Sequence, residues 1–82
     1  MEYRVLLFGP FTQAIRRNEV TVKIDGDLST VAVLRQRLGE AEPALVPLLR
    51  GSRFAVNHEI AGEDRPVGPE DEVALIGLVS GG

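Results

Sequence analysis

The sequence predicts an α+β domain: a mixed five-stranded sheet, one main helix packed on one face, and a possible second short helix. Three observations carry this. A run with strict period-two alternation, "EVTVKID", implies a one-sided strand. A single capped apolar stripe, "LSTVAVLRQRLG", implies one principal helix. The run "EVALIGLV" is apolar on both faces, as a strand in the middle of a sheet must be. The 82 residues suit one domain, taken as 1–82 with 79–82 as a flexible C-terminal tail.

The first strand is "YRVLLF", residues 3–8, ended by Gly9-Pro10. Arg4 resists burial, so Tyr3, Val5 and Leu7 are assigned to the core face and Leu6 and Phe8 to the outer face. In "PFTQAIRRN" the spacing of Phe11, Ala14 and Ile15 predicts a short helical turn. In the second strand Val20, Val22 and Ile24 face inward, and Asp25-Gly26 closes it. The two strands form an antiparallel pair.

Ser29 or Thr30 supplies the N-cap of the main helix. Val31, Leu34 and Leu38 form its stripe, Arg35, Gln36 and Arg37 cover its solvent side, and Gly39 suits the C′ position. "EPALVPLLRG" is apolar and broken by Pro43 and Pro47, which predicts a short helix or 3₁₀ turn. "RFAVN" is a strand, Asn57, His58 and Glu59 form a turn, and Ile60-Ala61 resume pairing. Pro66 and Pro69 confine any strand near Val67 to an edge. The last strand, residues 72–79, is placed centrally and parallel to the first. This order is that of the β-grasp, or ubiquitin-like, arrangement.

Composition narrows function. Nine Lys and Arg against twelve Asp and Glu give a net charge of −3 without a basic stripe, which argues against nucleic-acid binding. Cys is absent, removing disulfides and thiolate chemistry. The N-terminus carries neither a signal peptide nor a membrane span, so a cytoplasmic location and no membrane partner are expected. His58 is the one histidine and reads as a solvated turn residue. Glu70, Asp71 and Glu72 read as a solvated acidic run, so no metal is expected. Gly9, Gly26 and Gly39 punctuate element ends rather than form a phosphate loop. No autonomous active site is expected.

Two features remain. If Val73 and Leu75 pack under the helix, Ile76 joins Leu6, Phe8 and Ile60 on the outer face, and such an apolar patch marks a binding surface. Beyond the last strand come Val79, Ser80, Gly81 and Gly82. A glycine pair is narrow enough to thread a channel. The carboxylate of Gly82 is ionised at neutral pH and is a competent nucleophile toward the α-phosphate of ATP. Such a chain is a carrier whose partners supply the catalysis.

The stretches "YRVLLFGPF", "STVAVLRQRL", "FAVNHE" and "EDEVALIGLVSGG" occur in the order seen in MoaD-type proteins, and over nearly its whole length the chain resembles this small subunit of molybdopterin synthase, in the MoaD/ThiS superfamily. The resemblance implies that an E1-like, MoeB-like enzyme adenylates Gly82 with ATP and that a sulfur donor converts it to a thiocarboxylate. It implies a MoaE-like large subunit that threads the Val79–Gly82 tail and uses the sulfur for the dithiolene of molybdopterin. It places Phe8, Ile60 and Ile76 at the partner interface, and no cofactor on this chain. Where many relatives carry Pro-Pro-Val, this chain has Gly77-Leu78-Val79. The alternatives are a sulfur carrier of another pathway (ThiS-like, for thiamine), a ubiquitin-like protein modifier, and a non-conjugating β-grasp interaction module.

Overall fold

The computed structural model describes residues 1–77. Its chain order is β1 (Glu2–Leu7), α1 (Pro10–Ile15), β2 (Glu19–Lys23), β3 (Ser29–Thr30), α2 (Val31–Ala41), a 3₁₀ turn (Pro43–Leu45), α3 (Val46–Leu49), β4 (Ser52–Val56), β5 (Glu59–Ala61), β6 (Pro66–Val67) and β7 (Val73–Gly77). The main sheet has five strands in the order β2-β1-β7-β4-β5. β7 is central, parallel to β1 and antiparallel to β4, as its two apolar faces require. Leu78, Val79, Ser80, Gly81 and Gly82, and with them the expected tail, lie outside the described residues.

Alternation sorts the side chains onto two faces. Tyr3, Val5 and Leu7 of β1, Val20 and Val22 of β2, Phe54 and Val56 of β4, and Val73 and Leu75 of β7 are all buried in one cluster. Val31, Leu34 and Leu38 of α2 complete that cluster, so the helix lies across this face alone. Burial pushes the Tyr3 phenol above its ordinary pKa, with the Asp27 and Asp71 carboxylates adding to the effect.

Local signals account for most boundaries. β1 and α1 are joined by Gly9 at φ 55 and ψ −128, a conformation side chains disfavour, and Pro10 then opens the helix. Thr30 caps α2 by accepting from the Val33 amide at 3.3 Å. β4 and β5 turn through Asn57 and His58, both at positive φ (51 and 70), the two-residue hairpin that follows the sheet twist. β3 pairs with β6 in a separate two-stranded ladder, one partner of which is the Val67 edge strand.

Two expectations change. Gly39 does not terminate α2; the helix runs on to Ala41 and Glu42 caps it. Gly39 is instead a close-approach site, where a Cβ would meet Leu49 Cδ1 and Val46 Cγ2, each at 3.3 Å. Arg35 does not belong to a solvent side. Its guanidinium reaches the Leu49 carbonyl (2.6 Å), Ser52 Oγ (2.8 Å) and the Ser52 carbonyl (3.2 Å), and lies 5.1 Å from the centre of the Phe54 ring. It also grips both oxygens of Glu63, at 3.0 and 2.9 Å, so all five of its N–H groups are used.

Candidate functional site

The second face of the five-stranded sheet is the candidate site. Register builds it. Leu6 of β1 stands beside Ala74 of β7, Ala74 beside Ala55 of β4, and Ala55 beside Ile60 of β5. Ile76 is two residues along β7 from Ala74, on the same face. Phe8 follows the last residue of β1 and keeps the parity of Leu6. Large side chains therefore surround two alanines, leaving a concavity of about 330 Å³ lined by Leu6, Phe8, Ala55, Ile60, Ala74 and Ile76.

Exposure gives this arrangement its meaning. Phe8 is 56% exposed and Ile60 62% exposed, values for large apolar side chains that burial against another surface would remove. Leu6 and Ile76 are half-buried beside them. All four apolar residues expected on the outer face are thus brought together. Ala55 and Ala74 were not singled out, because alanine carries little pattern signal and their adjacency depends on the β4–β7 register. Among the described residues no group of His, Cys, Asp and Glu forms a metal site.

One rim of the concavity is polar. His58 Nε2 lies 3.2 Å from a Glu72 carboxylate oxygen, both groups being largely exposed, and His58 is the solvated turn residue the sequence suggests. Asn57 holds the turn against the start of β7: its backbone N–H donates to the Glu72 carbonyl at 2.7 Å, and its side-chain oxygen accepts from the Glu72 amide at 2.9 Å. The Asn57 amide also donates to Asp71 at 3.1 Å. The Gly68 N–H, at 2.8 Å, and then Asn57 hold the Asp71 carboxyl below the usual carboxylate range.

The direction of β7 matters as much. Gly77, its last residue, pairs with Ser52 of β4, and Phe11 of α1 packs where a side chain at 77 would stand, its Cε2 3.4 Å from that position. The central strand is thus held on both sides, and packed beneath as far as Gly77. An apolar concavity on the open face of a mixed five-stranded sheet, whose other face is crossed by one main helix, defines the class of β-grasp, ubiquitin-like domains.

Comparison with known proteins makes the class specific. The profile of the ThiS family matches residues 5–82. The molybdopterin synthase sulfur carrier subunit of Dictyostelium discoideum is 30% identical over 83 residues, covering 99% of this chain and 96% of that one. The crystal structure of SAMP1 from Haloferax volcanii superposes with a TM-score of 0.81 at 28% identity, covering 100% of both chains. In the complex of subunits 1 and 2 of the molybdopterin-converting factor from Helicobacter pylori 26695, the matching chain gives a TM-score of 0.68 at 23% identity over 100% of both, a likeness of fold. The chain belongs to the ThiS family, among the ubiquitin-like sulfur carriers of the MoaD/ThiS superfamily.

Proposed function

We propose that the chain is the sulfur-carrier subunit of a molybdopterin synthase. The carboxylate of Gly82 attacks the α-phosphate of ATP on an E1-like, MoeB-like enzyme, releasing pyrophosphate. A sulfur donor then displaces AMP from the acyl-adenylate, leaving a thiocarboxylate on Gly82. The open face docks on a MoaE-like large subunit, Val79, Ser80 and Gly81 thread its channel, and the sulfur passes to a pterin precursor of the dithiolene. ATP serves the activating partner, and this chain contributes the acyl group and the docking face. The observation that carries the reading is the concavity flanked by Phe8, Ile60 and Ile76 on the sheet whose central strand leads to the glycines. The Dictyostelium relative's name supports the pathway.

The likeness to SAMP1, a small archaeal modifier protein, favours a second reading, transfer of Gly82 to a protein amine. Lys23 is the chain's single lysine, so side-chain conjugation of one copy to another has one acceptor.

The purified protein, ATP, the E1-like enzyme of the same genome and a sulfur donor test both readings by intact mass. Exchange of oxygen for sulfur at the C-terminus supports the carrier. An unchanged mass beside an enzyme active in ATP–pyrophosphate exchange refutes it. Adducts on other proteins favour the modifier. Deleting Gly82 abolishes the exchange and leaves the thermal transition in place.

A further inference from the structure

A second concavity shares no lining residue with the open-face concavity. It runs between the C-terminal half of α2 and the turn from α3 into β4, with a volume of about 770 Å³, and Gly39, Val46, Leu49, Arg50 and Arg53 are among its lining residues. Val46 is 52% exposed here, one of the few large apolar side chains so placed.

Its charge is not balanced. Glu40 and Glu63 also line it, but Glu40 pairs with Arg37 at 3.7 Å and Glu63 is held by Arg35. Arg35 has no N–H left to offer, and its bonds fix the wall on which the groove is built. Among the described residues Arg16, Arg50 and Arg53 have no carboxylate within ion-pair distance, whereas Arg4, Arg17, Arg35, Arg37 and Arg65 each have one, and of the three only Arg50 and Arg53 line the groove. On a chain of net charge −3, Arg50 and Arg53 thus line one groove with an apolar floor, Arg53 acting on the Glu63 carboxylate only beyond ion-pair distance.

We propose that this groove is a second docking surface, whose occupant is an acidic peptide segment of a protein partner carrying an apolar side chain among its carboxylates. The apolar side chain covers Val46 and the exposed edge of Leu49. The carboxylates take the forked N–H groups of Arg50 and Arg53, a geometry guanidinium offers and ammonium does not. Two cations beside paired acids are too few for a phosphate backbone, which excludes nucleic acid as occupant. The groove reaches Ser52, the residue paired with Gly77, and Arg53, the residue paired with Ile76, so its occupant sits next to the end of β7 and against one edge of the open face. The inference is independent of the sulfur chemistry.

The full chain labelled with ¹⁵N is titrated with a fluorescein-tagged synthetic peptide of alternating Glu pairs and Leu, read by amide shifts and by anisotropy. Shifts centred on Gly39, Val46 and residues 49–53 are expected, with binding that weakens as salt rises. Reversing both charges, Arg50→Glu with Arg53→Glu, lowers affinity about tenfold, from about threefold per exposed pair. Arg16→Glu, a charge reversal on a cation that does not line the groove, leaves binding within about twofold. The proposal is overturned if the peptide does not bind, if its shifts fall on the open face, if a Gln-for-Glu peptide binds equally well, or if the double reversal, shown folded by its thermal transition, binds as before.

Discussion

Replacing Arg35 by Met keeps the aliphatic stem and deletes the guanidinium, which isolates what the polar contacts contribute. The Leu49 and Ser52 bonds lie in a partly buried site, and Ser52 is itself buried. Hydrogen bonds from a charged donor contribute about 1.5 kcal/mol or more each in such settings. Ser52 Oγ still donates to the Leu49 carbonyl at 2.7 Å, so that acceptor keeps a partner, while the Ser52 carbonyl loses its Arg35 contact. The Glu63 pair is about half exposed, so screening holds it to about 0.5 kcal/mol. The face of Phe54 adds about 0.5 kcal/mol. Counting one such bond, that to the Ser52 carbonyl, together with these two smaller contributions gives about 2.5 kcal/mol, a large share of the stability of so small a domain. With a urea slope of about 1 kcal/mol per molar, the midpoint falls by about 2–3 M. Glu63→Gln, which removes only the exposed ion pair, lowers it by less than about 1 M. If Arg35→Met costs no more than Glu63→Gln, the guanidinium is a surface charge and the reasoning fails.

Other outcomes follow from the same structure. Gly39→Val, which adds methyl groups where a Cβ alone meets Leu49 and Val46 at 3.3 Å, destabilises the domain by about 1–3 kcal/mol in urea unfolding, whereas Gly39→Ala stays near neutral as helix propensity offsets the contact. His58→Gly relieves a left-handed residue in a two-residue hairpin and raises stability by about 1 kcal/mol, since the exposed Glu72 pair it loses contributes little. Glu63 is held below its ordinary pKa chiefly by the Arg35 hydrogen bond, so its contribution is complete above the unfolded pKa and disappears as pH falls through the lower folded one. Acid titration of the Glu63→Gln variant therefore shows a shallower loss below about pH 4.3. Ala74→Leu fills the centre of the open-face concavity and weakens docking of the partner that binds there by tenfold or more in calorimetry, with little change in thermal stability.

What could be read from the sequence depended on whether one strand sufficed to decide it. The exposure of Arg4 settles the parity of β1, and with it the positions of Leu6 and Phe8, because alternation needs no partner. The two apolar faces of β7 require neighbours on both sides, and β1 and β4 provide them. Failures came where a second element enters. Arg35 occupies a helical position that alternation with Leu34 and Leu38 marks as peripheral, yet it reaches across to the β4 start and the loop holding Glu63. Gly39 has the identity of a helix terminator, but the side chains of Val46 and Leu49 are what require it to be small. Ala55 and Ala74 form the floor of the concavity only because the β4–β7 register sets them side by side. The same division holds for the two surfaces. The open-face patch is made of parity, so the strands announce it, whereas the arginine groove depends on which charges find partners after folding. With Glu40 and Glu63 unpaired, the same groove would set two free carboxylates beside Arg50 and Arg53, and it is the Arg35 and Arg37 contacts that leave those two arginines to face a partner.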